Sequence, residues 1–167
     1  PEFCVKRIYC NVPDAFVLER AKKYDIPTTV FDRQAFRDPE KILHQLEEEQ
    51  TDFIVLAGFL WLIPDFIIAA YPNRIVNIHP ALLPSYGGKG MYGHHVHEAV
   101  IAAKEQESGI TIHFVNEHYD SGSIIFQAKC PITPEDTPDS LAEKVHELEY
   151  KYFPQVIEGT IEDILSE

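Results

Sequence analysis

The stretch 53-FIVLAGF-59 carries no polar side chain. A short apolar run without alternation reads as a strand covered on both faces, the pattern of a parallel sheet with helices on each side. The chain on either side has the matching rhythm. Upstream, 3-FCVKRIYCN-11 reads as a strand closed by the turn-prone 11-NVPD-14. A helix follows, with Asp14 as N-cap and Val17, Ala21 and Tyr24 on one face. Then 27-PTTVF-31 is β-like. A second helix opens with Asp38 as cap and Pro39 in its first turn; it buries Ile42, Leu43 and Leu46 and exposes Glu47 to Glu49.

Downstream, a short helix starts at Pro64 and 74-RIVNIH-79 is the next strand. The segment 94-HHVHEAVIAAKEQ-106 has Val96, Ala99, Val100 and Ala103 at helical spacing. Two strands, 110-ITIHFV-115 and 123-SIIFQAKCPI-132, are joined by the polar loop 116-NEHYDSG-122. A last helix, 137-TPDSLAEKVHELEYKYF-153, has Thr137 as cap and a core face of Leu141, Val145, Leu148 and Tyr152, and Pro154 is expected to kink or end it. The expectation is one α/β domain, a mostly parallel sheet flanked by helices.

Composition bounds the function. A chain of 167 residues is long enough to bury roughly 70% of its unfolded surface. The net charge of −13 argues against a partner held through phosphate backbones, whether DNA or tRNA, but leaves room for one small phosphorylated metabolite. Cys4, Cys10 and Cys130 form no paired spacing, which favours a reducing cytoplasm over a disulfide framework. The longest apolar runs fall short of the roughly 18 residues of a membrane span.

In α/β sheets the ligand crevice lies beyond the carboxyl ends of strands. Three such ends stand out here: 57-AGFLWLIP-64, 77-NIHPALLP-84 and 116-NEHYDSG-122. Asn77 and His79 are two apart and share a strand face. An amide, an imidazole and the carboxylate of Asp120 suit acyl transfer. An amide N–H stabilises the oxygen that turns negative when an amine attacks a carbonyl, and an imidazole stabilises that charge or moves the proton. A neighbouring carboxylate is expected to raise the imidazole's pKa. No serine or cysteine sits in a nucleophile elbow, so direct transfer is the simpler mechanism. On bare composition, His79 also reads as a core histidine, Asp120 as a turn former and Trp61 as packing.

His94, His95 and His97 lack a cysteine or carboxylate that would complete a zinc-type motif, so no metal is expected. The glycines of 87-GGKG-90 lack P-loop spacing and read as a mobile flank of the site.

The segments 54-IVLAGFL-60, 77-NIHPALLPSYGGKGMYG-93, 109-GITIHFV-115, 118-HYDSGSIIFQ-127 and 145-VHELEYKYFP-154 resemble, in order, the glycinamide ribonucleotide formyltransferases of purine synthesis. The resemblance implies a Rossmann-like formyltransferase sheet and 10-formyltetrahydrofolate as formyl donor, with no metal. It implies Asn77, His79 and Asp120 as the catalytic three. Leu60, Trp61, Leu62 and Ile63 would hold the pterin together with Val115, Asn116, Glu117, His118 and Tyr119. Thr111 and His113 would support Asp120 and its loop, and Pro80 and Glu149 would contact the nucleotide. The implied partners are these two small molecules, with no nucleic acid and no membrane, for a monomer or homodimer.

Members of that family open with a strand and a glycine-serine-asparagine loop for the substrate phosphate. Residues 1–21 here match the family's second strand and the helix after it. The expectation is therefore a single formyltransferase domain over 1–167, N-terminally incomplete relative to the family. A related formyltransferase acting on an amino sugar, or a non-catalytic folate-binding relic, are the alternatives.

Overall fold

The computed structural model describes residues 3–167, so the first two residues of the stretch matched to a second strand lie outside it. Strands and helices alternate as β1 (Ile8–Cys10), α1 (Phe16–Lys23), β2 (Thr28–Val30), α2 (Arg33–Phe36), α3 (His44–Glu48), β3 (Ile54–Leu56) and α4 (Asp65–Ala70). Then come β4 (Ile75–His79), α5 (His94–Ala102), β5 (Glu107–Phe114), β6 (Ile124–Pro131) and α6 (Pro138–Ser166). The α/β class is as read. The chain divides into two units: residues up to Asp52 with Pro64–Ala70, and Phe53–Ile63 with Tyr71–Glu167.

In the first unit β1 and β2 pair in parallel, Ile8 opposite Thr28 and Cys10 opposite Val30. Arg7 and Tyr9 both reach Glu49. The N-cap of α1 is Ala15 rather than Asp14, because the turn after β1 runs one residue further and Ala15 takes the extended dihedrals of a cap. This two-turn helix buries Ala21 alone, leaving Val17 and Tyr24 exposed. A short helix escaped the sequence reading: α2 is capped by Asp32, whose carboxylate accepts from the Ala35 N–H at 2.8 Å. Asp38 caps as expected, accepting from the Glu40 N–H. Pro39–Leu43 then forms a wide helical turn that leads into α3, with Ile42 and Leu46 buried.

The second unit holds a four-stranded sheet in the order β3-β4-β5-β6. The β3–β4 ladder is parallel, whereas β5 runs antiparallel to both β4 and β6. The run 53-FIVLAGF-59 yields only the three residues of β3, which among the described residues has one strand neighbour and leaves Val55 40% exposed. It is not covered on both faces as expected; β4 and β5 are the buried strands. The helices α5 and α6 close the core with Val96, Val100, Leu141 and Val145 against Ile78, Ile110 and Ile112. Each such side chain contributes about 1.5–3 kcal/mol.

Thr137 and Ser140 form a reciprocal capping box at the start of α6. The helix then runs through Pro154 to Ser166, against the expected stop. Proline removes one N–H and displaces the carbonyl four residues back. That residue, Tyr150, is exposed, so water can serve its carbonyl. Tyr152, Phe153 and Val156 pack on the core on both sides of Pro154 and hold the helix together. Among the described residues no helix is long and apolar enough to cross a membrane.

Candidate active site

Asn77 and His79 share one face of β4, and the antiparallel register sets His113 opposite Asn77 and Thr111 opposite His79. Four polar side chains thus meet at the end of two buried strands. The His113 ring donates from Nδ1 to the Phe114 carbonyl at 2.8 Å. In the neutral ring this makes Nε2 an acceptor. It takes a hydrogen bond from Asn77 Nδ2 at 3.2 Å. The amide of Asn77 is thereby oriented, with its second N–H left to serve the site.

The carboxylate arrives from the β5–β6 loop. Asn116 Oδ1 folds that loop by accepting from the His118 N–H and the Ser121 hydroxyl, both at 2.9 Å. Asp120 itself sits at φ +50°, a left-handed conformation that aspartate tolerates better than most residues. Two residues on, a Cβ at Gly122 would lie 1.7 Å from the Phe114 carbonyl oxygen, so only glycine fits there. Asp120 Oδ2 accepts from the Gly88 N–H at 3.0 Å and lies 3.5 Å from His79 Nδ1. Its Oδ1 lies 3.6 Å from His113 Nε2.

His79 is 3% exposed, and its Nε2 donates to the Tyr86 carbonyl at 2.7 Å. Burial lowers its pKa, outweighing Asp120 and the Tyr86 carbonyl, which raise it; His113 lowers it further. The carboxylate raises this pKa as expected, but desolvation outweighs it and the net shift is downward, so the resting ring is neutral with its proton on Nε2. For Asp120, burial pushes the carboxyl up. The charged forms of the neighbouring His113 and His79 imidazoles, with the Gly88 N–H, outweigh burial and hold it below the ordinary carboxylate range.

Thr111 does not touch Asp120. Its hydroxyl donates to the Ala81 carbonyl at 2.7 Å and accepts from the Leu83 N–H at 3.0 Å, fixing the loop after β4 instead. His113 faces Asp120 and also holds Asn77. The two loops expected to hold a pterin meet where the Tyr119 hydroxyl donates to the Leu60 carbonyl at 3.3 Å. Leu60 and Leu62 are exposed, Ile63 is buried, and Trp61 stands edge-on to Phe59. A cavity of about 410 Å³ opens at Tyr119, lined also by Pro84, Gly87, Gly88, Asp120 and Ile124 among others and by none of Leu60 to Ile63. Val115 lies outside that lining, its N–H bonded to the Ile75 carbonyl; Glu117 faces His118 at 3.8 Å on the surface. Pro80 follows His79 directly. Glu149 is half-buried on α6, and burial raises its carboxyl against the pull of His146.

His94 and His95 face Glu98, His94 also nears Asp139, and His97 turns inward. Among the described residues no group of three or more potential ligands is assembled for a metal. Sequence reasoning missed the Tyr86 carbonyl and the Gly88 N–H, backbone groups that hold His79 and Asp120. The run 87-GGKG-90 flanks the site as read, and within it the Gly88 N–H meets Asp120. The glycines themselves were the signal: Gly88 has φ +93°.

A family model described as formyl transferase matches residues 4–157, across both units. The chain is 42% identical over 159 residues to the chloroplastic phosphoribosylglycinamide formyltransferase of Arabidopsis thaliana, covering 92% of this chain and 54% of that one. It spans about half the length of the plant relatives it matches. The phosphoribosylglycinamide formyltransferase of Bacillus subtilis is 36% identical, with 90% of this chain and 76% of that one covered. The crystal structure of the Streptococcus pneumoniae phosphoribosylglycinamide formyltransferase superposes with a TM-score of 0.85 at 34% identity, covering 95% of this chain and 88% of that one. With the α/β frame, the polar cluster at the end of β4 and these relatives together, the chain belongs to the formyl transferase family, in its phosphoribosylglycinamide branch.

Proposed function

We propose that this protein transfers the formyl group of 10-formyltetrahydrofolate to the amine of glycinamide ribonucleotide. The observation that carries the reading is the convergence of Asp120 on His79 Nδ1 at 3.5 Å and on His113 Nε2 at 3.6 Å, with His113 holding Asn77. The catalytic roles fall to Asn77, His79 and Asp120. The amine nitrogen attacks the formyl carbon, and the carbonyl electron pair moves onto oxygen. The remaining Asn77 N–H stabilises that oxygen; a donor of this kind is worth about 10²–10³ in rate. The proton lost by the amine passes to the Asp120 carboxylate, shared with His79 Nδ1. It leaves with the folate nitrogen as the carbon–nitrogen bond breaks.

The cavity beside Gly87, Tyr119 and Asp120 suits the flat folate ring; of the residues proposed to hold it, Leu60 to Ile63 and Val115 to Tyr119, Tyr119 lines the cavity and its hydroxyl reaches the Leu60 carbonyl. Thr111 and His113 support the site from β5, while Pro80 and Glu149 would meet the nucleotide. A half-buried carboxylate such as Glu149 gains from a substrate amine or hydroxyl. The partners are these two small molecules, the assembly a monomer or homodimer, and the compartment the cytoplasm; the plant relatives are chloroplastic. The test is formyl transfer by the full-length protein, followed by the release of tetrahydrofolate. Turnover with glycinamide ribonucleotide is expected. Turnover with an amino sugar and none with glycinamide ribonucleotide would overturn the reading.

A further inference from the structure

The loop Pro80–Gly88 links the two acid–base residues: its Tyr86 carbonyl holds His79 Nε2, and its Gly88 N–H holds Asp120 Oδ2. Pro80 and Pro84 restrict the backbone at the loop's entry, but the backbone groups of Ala81 and Leu83 between them are buried and need partners. Two side chains from the β5–β6 hairpin serve three of them, the Ala81 carbonyl and the N–H and carbonyl of Leu83. Thr111 Oγ1 donates to the Ala81 carbonyl and accepts from the Leu83 N–H. Gln127, opposite Thr111 in the ladder, donates from Nε2 to the Leu83 carbonyl and to Thr111 Oγ1, both at 2.9 Å. The threonine hydroxyl then uses its one donor and two acceptor sites, and both amide hydrogens of Gln127 are spent. The hydroxyl of the buried Thr111 is thereby fully satisfied, and Gln127, itself exposed, closes the network from the solvent side and holds it rigid.

We infer that Gln127 is a positioning residue for the formyl-transfer reaction: with Thr111 it clamps the entry of loop 80–88 and so sets the places of His79 and Asp120. This rests on the catalytic reading given above. Gln127 touches neither reacting group. It lies on a different strand from His79 and seven residues beyond Asp120. Without it the Leu83 carbonyl loses its partner and Thr111 loses a donor, so the loop is free to take water and shift. A displacement of about 1 Å at a reacting centre costs on the order of a hundredfold in rate.

The test is Gln127→Met in the full-length protein, which keeps the length of the side chain and removes both donors. The expected result is a kcat lowered by about tenfold or more, with KM for both substrates within about twofold of wild type. The NMR signals of the His79 imidazole should move as well, because its Nε2–H partner is carried by the loop. An unchanged kcat, a raised KM at constant kcat, or unmoved His79 signals would each overturn the inference. If Gln127→Met does not fold, Gln127→Glu replaces it. That side chain can donate only when protonated, so its kcat relative to wild type should rise as pH falls, and a flat ratio would overturn the clamp. The imidazole signals need no turnover. A protein inactive on glycinamide ribonucleotide would therefore sink the functional reading while the clamp was still decided.

Discussion

His97 offers a quantitative test of how this core responds to acid. It lies on α5 with 3% of its surface exposed, and its Nδ1 is buried with no hydrogen-bond partner. Burial pushes its pKa down to about 4, with His146, His94 and His79 adding to the effect. A folded-state pKa below the unfolded value of 6.5 means that, between the two, the unfolded chain binds the proton and the folded chain does not. The stability from a neutral His97 is therefore complete above about pH 6.5 and is lost as pH falls toward about 4. A depression of roughly 2.5 units corresponds to about 3 kcal/mol in all, most of it lost by about pH 4.5.

The measurement is urea unfolding of wild type and His97→Gln at about pH 7.5 and about pH 4.5. Glutamine carries no titrating proton, so the pH-dependent part of the difference isolates the histidine while the carboxylates cancel. Wild type should lose about 2–3 kcal/mol more than the variant over this interval. Equal losses in the two proteins would refute the account of His97 as a neutral buried ring.

Other consequences follow for the site and its frame. Asp120→Asn keeps the hydrogen bond from Gly88 but removes the charge and the proton acceptor. It should lower kcat by about 10²-fold or more while folate still binds in equilibrium titration, and parallel loss of both would count against the assigned role. Gly122→Ala drives a methyl into the Phe114 carbonyl at 1.7 Å, so a destabilisation of more than about 2 kcal/mol is expected by chemical denaturation; a neutral effect would contradict the close approach. Thr137→Ala breaks the capping box of α6 and should cost about 1 kcal/mol of stability with kcat unchanged. A drop in kcat there would tie the helix to catalysis.

The elements whose residues face one neighbour were the easiest to read. The stripe of Val96 and Val100 and the stripe of Leu141 and Val145 gave α5 and α6, and the strand-face pairing of Asn77 with His79 gave the polar cluster. Where tertiary partners decide, sequence fell short. The run 53–59 is apolar throughout, yet only Ile54–Leu56 enters the ladder, and among the described residues β3 pairs with β4 alone; hydrophobicity does not set where pairing starts and stops. Pro154 is a helix breaker by itself, and only the packing of Tyr152, Phe153 and Val156 lets α6 pass it. The supports of His79 and Asp120 are main-chain groups of Tyr86 and Gly88, and no side-chain pattern encodes a carbonyl. The sign of the His79 shift needed the depth of its burial, which the neighbouring carboxylate alone does not reveal.

The Phe114 carbonyl has one further consequence. It fixes the tautomer of His113, the tautomer turns the amide of Asn77, and that amide presents hydrogen rather than oxygen toward the site. The polarity at the proposed reacting centre is thus dictated by a single peptide group, against which Gly122 is pressed. Tilting that peptide would invert the amide and place a negative dipole where the proposed transfer develops an anion. The side chain proposed as catalytic would stay in place with its chemistry reversed.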